Sequence, residues 1–164
     1  MLFGRRYKSS LSNQVFLSCV VTLEIETLTY SFPFETNNVY RFFELDPTPA
    51  VFSFGRDVSE LNDRFYASPG LHQHAKNVIR YLDRAIDLLA SGDSDNELGG
   101  VLLDLGQKHA AFGVTARMYQ PMGQALIATV AEILGEDRFT PDVLQAWIEV
   151  FEALASEMIR AKDS

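Results

Sequence analysis

Leu105-Gly106-Gln107-Lys108-His109-Ala110-Ala111-Phe112-Gly113-Val114 is the stretch on which the reading of this chain turns. Its histidine follows Leu98, Leu102 and Leu105 at helical steps, so one imidazole joins a leucine face. Residues 97–110 therefore read as a helix, and Gly113 punctuates what comes after it.

The pattern on either side is helical too. A long helix is expected over about 116–134, closed by Gly135 as C-cap. Phe139-Thr140-Pro141-Asp142 opens a last helix: Thr140 is the N-cap, Pro141 the first residue, and Asp142 suits the dipole. Val143, Trp147, Val150, Phe151, Leu154 and Met158 form its apolar stripe. Upstream, Ser68-Pro69 starts a helix over 69–91, with Leu71, Ala75, Val78, Ile79, Leu82, Ile86 and Leu89 on one side. Ser91-Gly92-Asp93-Ser94-Asp95-Asn96 is a linker. Asn38–Leu45 reads as helix, stopped by Asp46-Pro47-Thr48-Pro49, and 53–69 as a loop with short turns. Residues 15–32 alternate in the manner of a strand, with Leu23, Ile25 and Thr27 between Glu24 and Glu26. The fold class is all-α from about residue 38 onward, in a single domain.

Composition bounds the function. The chain has 164 residues, 47% hydrophobic, with net charge -8, so nucleic acid and anionic membranes are poor generic partners. Cys19 is the single cysteine, which excludes an intramolecular disulfide and a cysteine-based metal site. Residues 1–23 carry Arg5, Arg6 and Lys8 and no acid, a loose imitation of a targeting segment without its cleavage pattern. No apolar run is long enough to cross a bilayer, and a cytoplasmic location is expected. P-loop, G-x-G-x-x-G, G-x-S-x-G and H-E-x-x-H motifs are absent, which removes support for nucleotide-binding and hydrolase readings.

Three histidines remain: His72, His74 and His109. His74 lies one turn before Val78, on the apolar face of its helix. His72 is about 200° away round that helix, so it is expected to face solvent. Two helices that each present an imidazole among apolar residues can sandwich a flat apolar ligand with a metal centre, and haem fits. A histidine on an apolar face is more often a hydrogen-bonded core residue than a ligand, so spacing alone leaves both readings open.

From about Asn38 to its end the chain resembles the globin family, nearest in pattern to neuroglobin-like single-domain globins. The resemblance rests on Val39-Tyr40-Arg41-Phe42-Phe43-Glu44-Leu45-Asp46-Pro47, Val51-Phe52-Ser53-Phe54 and Ser68-Pro69-Gly70-Leu71-His72-Gln73-His74. It continues through the stretch from Leu105 to Val114, Met122-Gly123-Gln124-Ala125-Leu126-Ile127, Phe139-Thr140-Pro141 and Ala146-Trp147. It implies a globin fold around haem b (iron protoporphyrin IX). His109 matches the proximal iron ligand, and His74 the distal histidine and candidate sixth ligand. Phe52, Val78, Leu105, Val114 and Tyr119 match positions that contact the macrocycle.

The chain also departs from that family. Residues 1–37 form an atypical segment where a first helix is expected, so the globin domain is placed at 38–164. Without that helix, Trp147, Phe151 and Leu154 would be exposed. Asn77 stands where a base often meets a haem propionate, leaving Lys76, Lys108 or Arg117 as substitutes. The distal residue of the first matched helix is Val39 or Tyr40.

Three functions follow from the resemblance. One is reversible binding of dioxygen or another diatomic gas (NO, CO) for storage, transport or sensing. The second is a haem enzyme, such as a nitric oxide dioxygenase or nitrite reductase. It would need an external reductase, because the chain has no flavin or nicotinamide motif. The third is a haemless interaction module.

Overall fold

Proline and polar caps set the helix boundaries. The computed structural model describes residues 32–48, 58–91 and 97–161. The targeting-like and strand-like stretches, Cys19, Phe52 and most of the linker lie outside them, although Phe32 itself is helical.

The described residues form six α-helices and no strand. Helix α1 spans Phe32–Leu45 and starts ahead of the expected Asn38. Pro33 is tolerated because the first helical turn has no use for its missing N–H. Asp46 ends α1 as expected, its carboxylate accepting from the Thr48 N–H at 2.9 Å.

The expected loop before Pro69 contains more structure than the sequence suggests. A 3-10 turn spans Val58–Glu60, and α2 spans Asp63–Tyr66. Asn62 caps α2, its side-chain oxygen accepting from the N–H groups of Arg64 and Phe65. Helix α3 is Pro69–Ser91 and α4 is Glu97–Ala111, both close to expectation. The next helix begins later than residue 116, because Ala116–Met118 is a 3-10 turn. Its tight geometry is held by the Met118 N–H to the Thr115 carbonyl at 3.0 Å, and by the Thr115 N–H to Met118 Sδ at 3.4 Å. Helix α5 then spans Tyr119–Leu134 and ends at Gly135. Helix α6 is Pro141–Arg160, and the Thr140 hydroxyl accepts from the Val143 N–H at 3.4 Å.

Helix α5 lies between α1 and α6, while α6 also packs against α4. Helix α3 touches α1 and α4. The main core gathers Ile79 and Ile86 of α3, Leu98 and Leu102 of α4, Leu126 and Val130 of α5, and Val143, Trp147, Val150 and Leu154 of α6. Trp147 and Leu154 are buried, and Phe151 is half-buried against the same cluster. A smaller core joins Val39 and Phe43 of α1 to Phe65, Leu71 and Ala75. Among the described residues no helix is long and apolar enough to cross a membrane.

Candidate functional site

Helix α4 carries the centre of the site. The His109 Nδ1 lies 2.7 Å from the Leu105 carbonyl, one turn earlier. A carbonyl can only accept, so Nδ1 carries a proton, and in the neutral ring the lone pair is on Nε2. The ring is therefore fixed in tautomer and orientation by its own helix. Both Leu105 and His109 are half-buried.

The end of α4 fixes the backbone of the same residue. The Val114 N–H donates to the His109 carbonyl, and the Gly113 N–H to the Ala110 carbonyl, each at 3.0 Å. These two bonds form a Schellman cap, which requires a left-handed residue just past the helix. Gly113 supplies it with φ of 81°. The Gly-Val pair after the histidine thus has a mechanical meaning: it ties Val114 to the turn that bears the imidazole.

Gly106 adds a third constraint, one that sequence reading quoted but gave no role. A Cβ there would overlap the Met158 carbonyl oxygen and lie 2.6 Å from Ala161 Cβ. Only a glycine lets α4 approach α6 this closely. The signal was present as a small residue inside a leucine-rich helix, but its partner lies some fifty positions away and leaves no local trace.

Tyr119 opens α5 with its ring centroid 6.2 Å from that of His109, the planes at 35°. Burial raises its phenol pKa. A cavity of about 210 Å³ lies beside these groups, lined by Gly106, Ala110, Val114, Tyr119 and Met158 among others.

His74 approaches from α3. More than a third of its surface is open to water. Protein atoms nonetheless crowd the imidazole from the other sides. This loss of hydration, and then the electrostatic interaction with the His109 imidazole, lower its pKa below the usual histidine value of 6.5. The two imidazoles are thus near enough to act on each other electrostatically. Val78, one turn on, is half-buried. The expected participants His74, Val78, Leu105, His109, Val114 and Tyr119 are thus all described, while Phe52 lies outside the described residues.

One expectation changes and two open choices gain detail. His72 does not face solvent: it is half-buried and lines a small recess with Tyr40, Tyr66 and Leu71. The buried stripe Leu71–Ala75–Ile79 runs between the two histidines, so they sit on its opposite flanks and both gain neighbours. Val39 packs into the smaller core, and Tyr40 stacks on Tyr66. The substitutes for a base at Asn77 are also distinguished. Lys108 pairs with Asp104 at 2.6 Å, and Asn77 accepts from Gln73 at 3.1 Å. Lys76 and Arg117 are exposed.

Comparison with known proteins places the chain in a family. The model of the globin family matches residues 39–158. Neuroglobin of Danio rerio is 31% identical over 121 residues, 73% of this chain and 73% of that protein. Neuroglobin of Tetraodon nigroviridis is 30% identical over the same shares. A flavohemoprotein of Rhizobium meliloti (strain 1021) is 33% identical over 85 residues, 51% of this chain and 21% of that longer protein. The matched region runs from α1 to the last turns of α6 and contains both imidazoles, and the chain belongs to the globin family.

Proposed function

We propose that the chain binds haem b between His109 and His74 and uses it to bind dioxygen or a related diatomic gas reversibly. The observation that carries this reading is the His109–Leu105 hydrogen bond, which orients the ring and, in its neutral form, directs the lone pair to Nε2. Globin membership implies haem. The donor set fits it independently. Among the described residues no group of three or more His, Cys, Asp or Glu can hold a bare metal ion. One imidazole from each of two helices instead suits a metal that arrives with its own equatorial ligands.

Haem supplies the iron centre at which a gas is taken up and released. The protein supplies the rest. His109 Nε2 is the proximal donor, steadied by Leu105 through the ring and by Val114 through the backbone. The lowered pKa of His74 keeps its imidazole neutral at pH 7, with one N–H to donate and one nitrogen to accept or ligate. His74 can therefore steady a gas by hydrogen bonding or serve as sixth ligand. In the second case the external ligand binds only the open fraction, which weakens its apparent affinity. Leu105, Val78, Val114, Tyr119 and Phe52 are assigned to the walls that keep water away.

The test is the visible spectrum of the protein with added haem, ferric and reduced, beside His109→Ala. A sharp Soret band that depends on His109 is expected, and a reduced spectrum altered by His74→Leu would assign the sixth ligand. Absence of a His109-dependent band overturns the reading and leaves a haemless interaction module. Fast turnover of nitric oxide or nitrite with a supplied reductase would move the protein to the enzyme class.

A further inference from the structure

Two tyrosines that the haem reading does not use lie against each other. Tyr40 of α1 and Tyr66 of α2 stack with ring centroids 3.7 Å apart and planes within 15°. Aromatic rings left to themselves favour offset or edge-to-face pairing, so this near-overlay is held by its surroundings. Phe65 and Phe43 pack edge-on against Tyr66, at 5.3 and 6.5 Å. Tyr40 keeps 37% of its surface exposed, so an oxidant and the departing protons have access from one side.

A phenol that loses an electron and a proton becomes a radical with spin on its ortho carbons. Coupling two such radicals in solution needs a rare encounter. Holding the rings in contact makes the coupling intramolecular, with the large advantage in effective concentration that proximity gives. We propose that the Tyr40–Tyr66 stack is an oxidative modification site, where a one-electron oxidant closes an o,o′-dityrosine crosslink between α1 and α2. Each phenol gives up one electron, and the two ortho carbons join. Rearomatisation then restores both hydroxyls. In balance, one C–C bond replaces two ring C–H bonds and two protons pass to water. The two electrons reduce two equivalents of oxidant, such as tris(bipyridine)ruthenium(III) or nitrogen dioxide, the latter to nitrite. The link ties α1 to the segment just before α3, the helix that carries His74. It needs no haem, so it stands or falls separately from the proposed function.

The full chain, dilute and without added haem, is illuminated with tris(bipyridine)ruthenium(II) and peroxydisulfate. The expected product is a monomer with dityrosine fluorescence. Its peptide map joins Tyr40 to Tyr66 with the mass of two hydrogens lost. Tyr40→Phe and Tyr66→Phe each keep a ring in place and lose that linked peptide. Tyr81→Phe, at an equally exposed tyrosine, retains it. A wild-type map without the Tyr40–Tyr66 link, or crosslinks formed only between molecules, overturns the proposal.

Discussion

Replacing Gly106 with alanine sets two opposed effects against each other inside one helix. Alanine is the better helix former, by about 0.5–1 kcal/mol in a helix interior. At Gly99 and Gly100, in the first turn of α4, a Cβ would meet nothing within 4 Å, so no clash opposes that gain. At Gly106 the new methyl overlaps the Met158 carbonyl and comes within 2.6 Å of Ala161 Cβ and 2.8 Å of Met158 Cα. Two of these three atoms are backbone, so α4 and α6 must separate. Overpacking of this kind costs about 1–3 kcal/mol, and a clash with rigid backbone belongs at the upper end. The net for Gly106→Ala is then about 2 kcal/mol of destabilisation, against a stabilisation of up to about 1 kcal/mol for Gly99→Ala. Urea unfolding of the haem-free protein followed by circular dichroism reads both, with an unchanged slope and midpoints displaced in opposite directions. In thermal scans the same values amount to a fall of about 4–8 °C and a rise of about 2–4 °C. Gly106→Ala as stable as Gly99→Ala would refute the close approach of the two helices.

Gly113→Ala forces a Cβ into a φ of 81° and should cost about 1–2 kcal/mol in the same unfolding assay. Thr140→Ala removes the α6 cap and should cost about 1 kcal/mol, with Thr140→Asp near neutral. The pKa of His74 is lowered in the folded state, so the unfolded chain takes up its proton first as pH falls. The stability this residue confers is complete above pH 6.5 and is lost as pH falls from there through its folded value. Urea midpoints of the haem-free protein between about pH 7 and pH 5 should therefore fall less steeply in His74→Gln, and an unchanged acid slope would count against the placement of His74.

The parts that the sequence made legible are those with short-range causes. Thr140-Pro141 announces α6, Gly135 closes α5, and Ser68-Pro69 opens α3, because caps act over three or four residues. The register of Leu98, Leu102, Leu105 and His109 is likewise internal to one helix. Asn62 as the cap of α2 was local too, but four residues give no periodicity to notice. What stayed hidden depends on distant neighbours. Helical spacing separates His72 from His74, yet it does not say which flank α1 will cover. Val39 and Tyr40 are adjacent in sequence, and only the crossing of α1 over α2 and α3 decides that one is buried and the other stacks on Tyr66. The contact of Gly106 with Met158 is the same kind of information.

His109 is gripped in three ways, by Leu105 at its ring, by Val114 at its carbonyl, and through Gly106 by the seating of its helix on α6. Positions so joined do not contribute independent energies. Gly106→Ala and Gly113→Ala combined should depart from the sum of the single variants, because once α4 has shifted the cap has less native geometry left to lose. Variation at 106, 109, 113 and 114 is therefore to be weighed as one unit: a change that looks harmless at one of them takes its meaning from the other three.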